Sequence, residues 1–544
     1  DIYRDYHSPL HNDILTASLR KINPGISHDA VNEAIYKIKN FSSVNLIQNN
    51  RTFMDYLQNG IEVSTFCSGK VKYDRVQLVD YSNVDENTFT AINQWTIVEH
   101  EERRPDVVLF VNGLPLVVIE LKSCSREETD ASAGYRQLRN YMHDIPSLFA
   151  YNAICVMSDL SVSKAGTITS LEDRYMEWKT TNGDYEETKY ATFDVLFKGM
   201  FRKDRLLDII KNFMLFSEDI KILAGYHQYY AVKKAIERTK TATQTDGKGG
   251  IFWHTQGSGK SLSMVFYTKL LQEALDSPTV VVLTDRNDLD DQLYGQFARC
   301  KDFLRQVPEQ AESRADLTSK LAGRVANGII FTTMQKFEES SEPLSLRNNI
   351  ILIADEAHRS QYSLDEKIDA STGKVTLGMA RLVRDSLPNG TFIGFTGTPI
   401  SLKDRSTIEV FGNYIDVYDM TQSVQDGATR PVYYESRVIN LGLDEEILSK
   451  IDAEYVQMEE QAESSAIEKS KKELSKMDSI LGAEETIKSL CKDIVRHYED
   501  RADLLTGKAM VLAYSRPIAM KIYSEILRLR PNWKEKVQVV MTGN

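Results

Sequence analysis

The sequence predicts an α/β protein of several domains, with parallel sheets in its second half. Its 544 residues exceed what one hydrophobic core usually organises, and the length suggests roughly three to four domains. Segments with strand and helix patterns alternate up to about residue 200, which is typical of an α/β domain. Beyond residue 250, apolar strands are each followed by polar residues, as at the ligand-binding edge of a parallel sheet.

Composition limits the classes of function. With 42% hydrophobic and 26% charged residues and no apolar run long enough for a membrane span, we expect a globular protein without membrane association. The five cysteines are scattered without a CxxC pair and no secretion signal is present, so we expect a cytoplasmic location. The net charge of −12 means that a grip on DNA must come from a local basic groove or from partner subunits.

The N-terminal part of the chain contains the first alternating elements. Pro105 to Lys122 predicts two strongly apolar strands around an Asn112-Gly113 turn. Further along, the pattern predicts a helix over 131–144, a strand over Ala153 to Met157, and a helix over 203–217 that leads out of this domain.

Three charged residues lie at the ends of the two apolar strands: Asp106, Glu120 and Lys122. Residues two apart in a strand point to the same face, so Glu120 and Lys122 project together. The carboxylates of Asp106 and Glu120 can bind Mg²⁺, which polarises a scissile phosphate, and Lys122 can orient the attacking water and stabilise developing charge. Charges at the end of a buried hairpin need such a reason.

The register of this hairpin decides whether the two carboxylates meet. A regular two-residue turn pairs Asp106 with Ile119 and leaves Glu120 facing away. One extra residue, in a longer turn or an equivalent bulge, pairs Asp106 with Glu120. We predict the longer turn or the bulge.

This arrangement resembles the Asp…Glu-x-Lys site of the PD-(D/E)xK nucleases. Gln137 and Tyr141 lie four residues apart, on one face of the following helix. They resemble the QxxxY element of the RecB-like branch of these nucleases. The resemblance implies that this helix supports the nuclease site.

The stretch from Trp253 to Ser261 has the chemistry of a phosphate-binding loop. An apolar segment precedes it and a potential helix follows, so backbone N–H groups and a helix N-terminus would face an anion. Lys260 would reach the outer phosphates and Ser261 would bind Mg²⁺, whereas His254 stands where the strict pattern has glycine. The residues expected to bind ATP here are Thr255, Gln256, Gly257, Ser258, Gly259, Lys260 and Ser261.

Two further motifs follow apolar strands. In Asp355-Glu356-Ala357-His358, Asp355 would hold Mg²⁺ through water and Glu356 would orient the attacking water. Thr396-Gly397-Thr398-Pro399 follows the next strand. In order and spacing, the three motifs resemble the RecA-like motor core of superfamily 2 helicases and translocases.

The resemblance to these motors implies further roles. Thr396, Gly397 and Thr398 would couple ATP hydrolysis to movement, and Gln228 lies where such motors place a glutamine that reads adenine. Residues 284–286 and 332–335 lie at strand ends, where these motors touch the DNA backbone.

The C-terminal part predicts a second motor domain that is cut short. Residues 443–505 are helix-rich and mostly acidic, which predicts a solvated helical insertion. Met510 to Tyr514 and Val537 to Met541 predict strands of a new α/β unit. The motors supply an arginine finger from a late motif of that domain, so we interpret the chain as the N-terminal part of a larger protein.

A PD-(D/E)xK nuclease followed by a superfamily 2 motor resembles HsdR, the restriction subunit of type I restriction-modification enzymes. Three short sequence motifs support this resemblance: Glu86-Asn87-x-Phe89, Asn93-Gln94, and His254 with Gln256 in the phosphate loop. The resemblance implies a nuclease domain over 1–215, a first RecA-like domain over 216–425, and the insertion with an incomplete second RecA-like domain over 426–544.

The same resemblance implies an ATP- and Mg²⁺-dependent subunit that pulls duplex DNA and cuts it away from the recognition site, with partner methylation and specificity subunits. Two alternatives stay open. One is a single-chain or type III-like restriction enzyme, although type III enzymes carry the nuclease after the motor. The other is a non-cleaving ATP-gated DNA clamp, against which the intact charged residues of both sites argue.

Overall fold

A computed structural model describes residues 4–67, 70–122, 131–159, 161–184, 192–284, 287–337, 342–357, 367–368, 375–376, 379–398, 405–435, 481–502 and 507–541. Two compact units divide the chain, Asp1–Pro431 and Val432–Asn544. Over the described ranges, no helix combines the length and the apolar character that crossing a membrane requires.

The N-terminal elements of the first unit are mixed helices and strands. The helices are α1 (Asn12–Ile22), α2 (His28–Lys39), α3 (Leu46–Asn59), α4 (Ala131–Asp144), α5 (Pro146–Ala150), α6 (Thr192–Gly199) and α7 (Lys203–Asn212). The strands are β1 (Ile61–Cys67), β2 (Lys70–Val76), β3 (Phe89–Asn93), β4 (Ile97–Val98), β5 (Glu102–Arg103), β6 (Val107–Val111), β7 (Leu114–Leu121), β8 (Ile154–Ser158), β9 (Ser163–Gly166), β10 (Met176–Glu177), β11 (Met214–Ser217) and β12 (Ile220–Leu223). Short 3₁₀ turns lie at Val84–Glu86 and Glu172–Arg174.

A six-stranded sheet with the order β10-β9-β8-β7-β6-β3 organises this region. Strands β7 and β8 run parallel, and the other neighbours run antiparallel. Helix α4 forms the crossover between β7 and β8, and its Leu138 and Tyr141 pack with Val118 and Met157 in one apolar cluster. The predicted apolar hairpin, the helix over 131–144 and the following strand are therefore confirmed.

The predicted helix over 203–217 is wrong over its last five residues. Helix α7 ends at Asn212, and β11 and β12 pair as an antiparallel hairpin across a turn in which Glu218 has a φ of 53°. A short apolar run fits a helix or a strand, and the neighbouring partner strand decides between them here.

The motor region of the first unit follows in helix–strand alternation. Its helices are α8 (Tyr226–Ala242), α9 (Lys260–Ala274), α10 (Asn287–Arg299), α11 (Lys301–Leu304), α12 (Arg314–Ala322), α13 (Met379–Ser386), α14 (Arg405–Phe411) and α15 (Met420–Gln425), with a 3₁₀ turn at Met334–Lys336. Its strands are β13 (Lys248–His254), β14 (Thr279–Thr284), β15 (Glu309–Gln310), β16 (Ile329–Thr333), β17 (Ile350–Ala354), β18 (Lys367–Ile368), β19 (Val375–Thr376), β20 (Thr391–Thr396) and β21 (Tyr414–Tyr418).

Seven of these strands form a parallel sheet with the order β15-β16-β14-β17-β20-β13-β21. The predicted parallel sheet and its apolar strands are confirmed. The edge strand β21 was not predicted, because Asp416 interrupts its apolar pattern. One apolar cluster runs from the N-terminal helices into this sheet, with the Phe213 ring 5.6 Å from the Phe266 ring.

The second unit contains α16 (Glu484–Ala502) and α17 (Arg516–Leu529), with a 3₁₀ turn at Pro531–Trp533. The two helices pack through apolar residues that include Cys491 and Ile522. The predicted helices over 443–505 are confirmed in α16, and residues 436–480 lie outside the described residues.

The strands predicted at 510–514 and 537–541 are wrong for this structure. Residues 507–541 contain no strand, and Met510 and Val540 are 82% and 94% exposed. An apolar segment becomes a strand only where a neighbour pairs with its backbone, and neither segment has such a neighbour in the described part of the chain.

Candidate functional sites

The hairpin of β6 and β7 contains one extra residue in its second strand. Asn112 and Gly113 form a two-residue turn with φ values of 53° and 79°. The cross-strand pairs are Val111–Leu114, Phe110–Pro115, Leu109–Val117, Val108–Val118 and Val107–Ile119. Leu116 therefore faces no residue of β6 and forms a bulge, after which Asp106 lies opposite Glu120. The predicted bulge is confirmed, within β7 rather than in the turn.

The carboxylate of Asp106 is held by two donors. The backbone N–H of Leu121 donates to Oδ2 at 2.9 Å, and the side-chain amide of Gln94 donates to Oδ1 at 3.0 Å. The backbone N–H of Gln94 also donates to the Asp106 carbonyl oxygen at 3.0 Å. Gln94 thus fixes both the backbone and the side chain of Asp106.

Glu120 is buried, with 3% of its surface exposed. Its Oε1 accepts a hydrogen bond from Lys122 Nζ at 2.7 Å, and its Oε2 is buried without a hydrogen-bond partner among the described residues. Burial raises the pKa of Glu120, the Lys122 ammonium opposes that rise, and the charge of Asp106 adds to it. The predicted triad of Asp106, Glu120 and Lys122 therefore comes together at one end of the sheet.

Helix α4 brings Gln137 and Tyr141 to the same site. Burial, and then the charge of Glu120, raise the pKa of the Tyr141 hydroxyl, with which the Gln137 side chain also interacts. The helix lies close to the sheet at Gly134, where a Cβ atom would be 3.2 Å from the Cβ of Met157. A larger residue at Gly134 would push the helix, and Tyr141 with it, away from Glu120.

The oxygen atoms of this site fit a Mg²⁺ ion. Glu120 contributes a buried carboxylate oxygen that lacks a donor, and the carboxylate of Asp106 lies beside it. Mg²⁺ is bound in proteins by one or two carboxylates, with water and substrate phosphate as the other ligands. Over the described ranges, no group of three or more His, Cys, Asp and Glu side chains could hold a metal ion.

The phosphate loop lies between the end of β13 and the start of α9. Gly257 and Gly259 have φ values of 84° and 85°, which glycine adopts without strain. The Ser258 hydroxyl donates to the Thr255 carbonyl oxygen at 2.6 Å, which closes the loop on itself. Gly259 precedes α9 and has no side chain to cap it; the N–H groups of Leu262 and Ser263 donate to its carbonyl oxygen at 3.0 and 3.1 Å, and Ser261 is exposed at the start of the helix.

His254 occupies the position where the strict loop pattern has glycine. Its side chain points away from the loop, and its Nε2 lies 3.0 Å from Asp416 Oδ2 on β21. Burial lowers the pKa of His254, so the ring is neutral near pH 7 and Nε2–H donates to the carboxylate. Asp416 also forms an ion pair with Lys234, with a distance of 2.8 Å between Nζ and Oδ1. The histidine that replaces glycine therefore connects β13, through Asp416, to the neighbouring edge strand β21.

The acidic pair follows β17 and faces Lys260. The backbone N–H of Asp355 donates to the Leu283 carbonyl oxygen at 2.9 Å, and that of Glu356 to Asp355 Oδ1 at 2.9 Å. Burial lowers the pKa of Lys260, while the charges of Glu356 and Asp355 oppose that shift. His358 lies outside the described residues.

The segment after β20 closes the site from the other side. A Cβ atom at Gly397 would lie 2.8 Å from Lys260 Nζ and 3.0 Å from Gln256 Cγ. The Thr396 hydroxyl donates to the Thr398 carbonyl oxygen at 3.1 Å and accepts from the Thr398 N–H at 3.2 Å. The structure therefore places this motif against the phosphate loop; Pro399 lies outside the described residues.

Gln228 lies against the same loop with a buried side chain. Its Oε1 accepts from the Gly225 N–H at 3.0 Å, and its Nε2 donates to the Gly259 carbonyl oxygen at 3.1 Å. Gln228 is thus beside the nucleotide loop, and its role in reading adenine stays a prediction.

The residues expected to touch DNA are largely inaccessible. Thr284, Thr332 and Thr333 are buried at the ends of β14 and β16. Contact with a DNA backbone through these three side chains does not fit this arrangement, and Asp285 and Arg286 lie outside the described residues.

Two residues that support the sites escape prediction from the sequence. From the sequence, Gln94 is identified only as part of a motif that supports the family resemblance. A polar Asn93-Gln94 pair directly after an apolar strand is nevertheless a usable signal. Asp416 is missed together with β21. A single carboxylate inside an otherwise apolar five-residue strand could have indicated a buried partner.

The chain thus contains an acidic site of the PD-(D/E)xK type and a separate phosphate loop. Together they define a class of protein in which a domain with such an acidic site is joined to a phosphate-loop ATPase domain. Residues 2–174 match the family described as the type I restriction enzyme R protein N terminus (HSDR_N). Residues 227–468 match the SWI2/SNF2 ATPase family. The N-terminal part of the chain therefore belongs to the R proteins (HsdR) of type I restriction enzymes, and the part that follows carries an ATPase domain of the SWI2/SNF2 family.

Individual relatives agree with this assignment. The chain is 40% identical to the type I restriction enzyme HindI endonuclease subunit of Haemophilus influenzae, over 97% of this chain and 52% of the relative. It is 35% identical to a candidate MjaIXP endonuclease subunit of Methanocaldococcus jannaschii, over 100% of this chain and 53% of the relative. The chain spans about half the length of these curated relatives.

A solved fragment, described as a candidate HsdR subunit from Vibrio vulnificus YJ016, is matched with a TM-score of 0.32 at 14% identity, over 91% of this chain and 76% of that chain. At that level of similarity it adds nothing to the assignment.

Proposed function

We propose that this protein is the motor and nuclease subunit of a type I restriction enzyme. It would hydrolyse ATP to pull duplex DNA and would cleave that DNA away from the recognition site, together with methylation and specificity subunits. The observation that carries the proposal is the convergence of Asp106, Glu120 and Lys122 at the end of one sheet in the chain that also carries the phosphate loop.

In the nuclease site, Asp106 and Glu120 would hold the metal ion. Mg²⁺, when bound there, would polarise the scissile phosphate. Lys122 is already bonded to Glu120, so its ammonium is positioned to orient the attacking water and to stabilise charge on the phosphate. Tyr141 and Gln137 would support Glu120 from helix α4.

In the motor site, Lys260 and the N–H groups of the loop would bind the outer phosphates of ATP. The Ser261 hydroxyl and the Asp355 carboxylate would hold Mg²⁺, which would neutralise phosphate charge. Glu356 would orient the attacking water. Gly397 lies next to Lys260, and the segment 396–398 would sense the phosphates and couple hydrolysis to movement.

The same proposal assigns residues 1–215 to the nuclease domain and residues 216–425 to the first motor domain. Residues 426–544 would contain the helical insertion and the beginning of the second motor domain. Cytoplasmic location follows from the proposed action on intracellular DNA.

Two substitutions in the full-length protein, assembled with its partner subunits, test the proposal. Lys122→Ala should reduce DNA cleavage by ~10²-fold or more while DNA-dependent ATPase survives, because a preorganised charge is lost from the nuclease site alone. Lys260→Ala should abolish ATP hydrolysis and, with it, cleavage that depends on translocation. Both activities are measured on the same preparations.

Matched controls are available in both regions. Lys21 forms an exposed ion pair with Glu86, and Lys240 forms one with Glu237, so Lys21→Ala and Lys240→Ala should change neither activity. Cleavage by Lys122→Ala at the wild-type rate with Mg²⁺ would overturn the nuclease assignment. A wild-type protein that hydrolyses ATP on DNA but never nicks a plasmid would favour the non-cleaving clamp.

A further inference from the structure

Asp426, at the end of helix α15, is a buried carboxylate outside both proposed reactions. Its side chain is 2% exposed. Four donors surround it: the Tyr226 hydroxyl, the Tyr418 hydroxyl at 2.7 Å, Lys179 Nζ at 3.0 Å and the Gln422 amide at 3.4 Å. A carboxylate buried so completely keeps its charge only where donors replace water.

Three of the four donors come from separate parts of the first unit, and Gln422 lies on α15 itself. Tyr226 begins α8, two residues before Gln228, and Tyr418 ends the edge strand β21. Lys179 follows the edge strand β10 of the N-terminal sheet, two residues after its last residue. Asp426 therefore joins the N-terminal sheet region to two elements that flank the phosphate loop.

Tyr418 connects Asp426 to the phosphate loop through His227. The His227 ring stacks on the Tyr418 ring with centroids 4.2 Å apart and an interplanar angle of 9°. His227 Nε2 lies 3.1 Å from the Ser258 carbonyl oxygen, and because a carbonyl only accepts, Nε2 carries the proton. Burial and the neighbouring His254 lower the pKa of His227 to about 4, so the ring stays neutral near pH 7.

A second contact reaches the loop from the residues that follow Asp426. The Thr429 hydroxyl donates to the Ser423 hydroxyl at 2.9 Å, and the Thr429 N–H donates to the Ser423 carbonyl oxygen at 3.2 Å. This places Thr429 Cγ2 3.0 Å from the position that a Cβ on Gly257 would occupy. The C-terminal end of α15 thus borders the loop at Gly257, while His227 holds it at Ser258.

From these contacts we infer that Asp426 is a positioning residue for ATP binding, which keeps the phosphate loop in its binding conformation through Tyr418 and His227. The inference rests on the proposed ATPase function. Ordering a flexible loop costs conformational entropy at the moment of binding, so a loop held in advance binds its ligand more tightly. The donors to Asp426 are Tyr226, Tyr418, Lys179 and Gln422, and none of them is a residue proposed to act on the outer phosphates or the metal, so its effect should fall on ATP binding and not on the chemical step.

The test uses Asp426→Asn in the full-length protein assembled with its partner subunits. Asparagine keeps the shape but loses the charge and one acceptor, so it cannot satisfy both tyrosines and Lys179. We expect the KM for ATP in DNA-dependent hydrolysis, and the Kd of a fluorescent ATP analogue, to rise about tenfold, which corresponds to about 1.4 kcal/mol. The kcat should stay within about twofold of wild type, because the groups around the outer phosphates are unchanged.

Two further variants separate positioning from loss of folding. Asp419 caps the same helix α15, with Oδ1 accepting from the Gln422 N–H at 2.8 Å, so Asp419→Ala loosens the helix without removing Asp426. It should leave the KM unchanged. Tyr418→Phe keeps the ring under His227 but removes the hydroxyl, and its effect on KM should be less than additive with Asp426→Asn, because both break one contact.

The outcomes are distinct. A wild-type protein that binds no ATP would overturn the proposed function itself. If the wild type binds ATP and Asp426→Asn has an unchanged KM, or a lower kcat at an unchanged KM, the positioning role is wrong. A KM rise of the same size in Asp419→Ala would also overturn it, since that would assign the effect to the helix and not to the carboxylate.

Discussion

Asp106 lies opposite Glu120 because β7 contains one extra residue, Leu116, which has no partner in β6. Leu116 lies between the Asn112-Gly113 turn and Glu120. Without that residue the two-residue turn at Asn112-Gly113 would send the two carboxylates to opposite faces of the sheet. The bulge therefore brings together the two carboxylates of the proposed metal site in an otherwise regular hairpin. Bulges commonly re-aim side chains beside active sites, and this one does so for a strand that is buried along most of its length.

Gln94 provides a direct test of how firmly Asp106 must be held. Gln94→Gly removes the amide that bonds Asp106 Oδ1 and leaves the backbone unstrained, because Gln94 has a φ of 51° that glycine accepts. We expect Mg²⁺-dependent cleavage to fall about 10- to 100-fold, as is typical when a partner of a metal ligand is lost. DNA-dependent ATPase should be unchanged.

The measurement is plasmid cleavage at several Mg²⁺ concentrations, with ATPase recorded in parallel. Gln48→Gly is the matched control, since the Gln48 amide donates to Asp219 on the surface and not to Asp106. Equal cleavage by wild type and Gln94→Gly at limiting Mg²⁺ would show that Asp106 needs no support from Gln94.

Glu120 predicts an unusual pH dependence of cleavage. Burial raises its pKa, so the carboxyl group takes up a proton at a higher pH than an ordinary glutamate does. Metal binding needs the ionised form, so Mg²⁺ and the proton compete for the same oxygen atoms. Raising Mg²⁺ about tenfold should move the acidic limb of the pH–rate profile down by up to about one pH unit. ATP hydrolysis measured in the same reactions controls for the motor's own metal requirement. If the pH position of the acidic limb does not change with the Mg²⁺ concentration, Glu120 is excluded as a metal ligand.

The sequence was sufficient for elements whose chemistry is local. The phosphate loop, the Asp355-Glu356 pair and the apolar strands of the motor sheet could be predicted because glycine spacing and apolar runs act within a few residues. The bulge could be predicted only as a requirement, since the site needs it; its place at Leu116 depends on how β7 fits between β6 and β8.

Elements that depend on partners distant in sequence could not be predicted from the sequence. Strand β21 exists because it pairs with β13, and its Asp416 is buried against His254, 162 residues away in sequence. The segments around Met510 and Val540 show the reverse case: apolar residues without a pairing neighbour in the described part of the chain did not become strands. Sequence patterns record what a segment can form, and the available partner decides what it does form.

The closeness of Gly397 to Lys260 allows a steric test of the motor site. Gly397→Ala would place a Cβ atom 2.8 Å from Lys260 Nζ and 3.0 Å from Gln256 Cγ, so the lysine must move away from the position proposed for the phosphates. We expect ATPase to fall about 10- to 100-fold, as when a preorganised cation is misplaced. Gly295→Ala, on α10, is the control, because its nearest neighbour would be the flexible Arg299 guanidinium at 3.5 Å. Near-normal ATPase in Gly397→Ala would show that Lys260 does not need its present position.

Lys221 predicts a pH-dependent contribution to stability. Its side chain is 2% exposed, and Nζ donates to Asn50 Oδ1 at 3.0 Å and to the Asn152 carbonyl oxygen at 2.6 Å. Burial lowers the pKa of Lys221 to about 7, against 10.5 for an ordinary exposed lysine. Between these two values the unfolded chain holds a proton that the folded protein does not, so stability increases as pH rises through this window and is lost as pH falls toward 7.

Lys221→Met isolates that contribution, because methionine fills the same space without an amine. The variant should be less stable than wild type by about 1–3 kcal/mol near pH 7, since Asn50 and Asn152 lose a donor. The difference should grow by up to about 1.4 kcal/mol for each pH unit between about 7 and about 9, as the neutral amine becomes the folded form that unfolding must protonate. Urea unfolding of both proteins across this range measures it, with Lys211→Met, which removes an amine that is paired with Glu273 near the surface, as the control. A constant difference between wild type and Lys221→Met would mean that Lys221 stays charged in the folded protein.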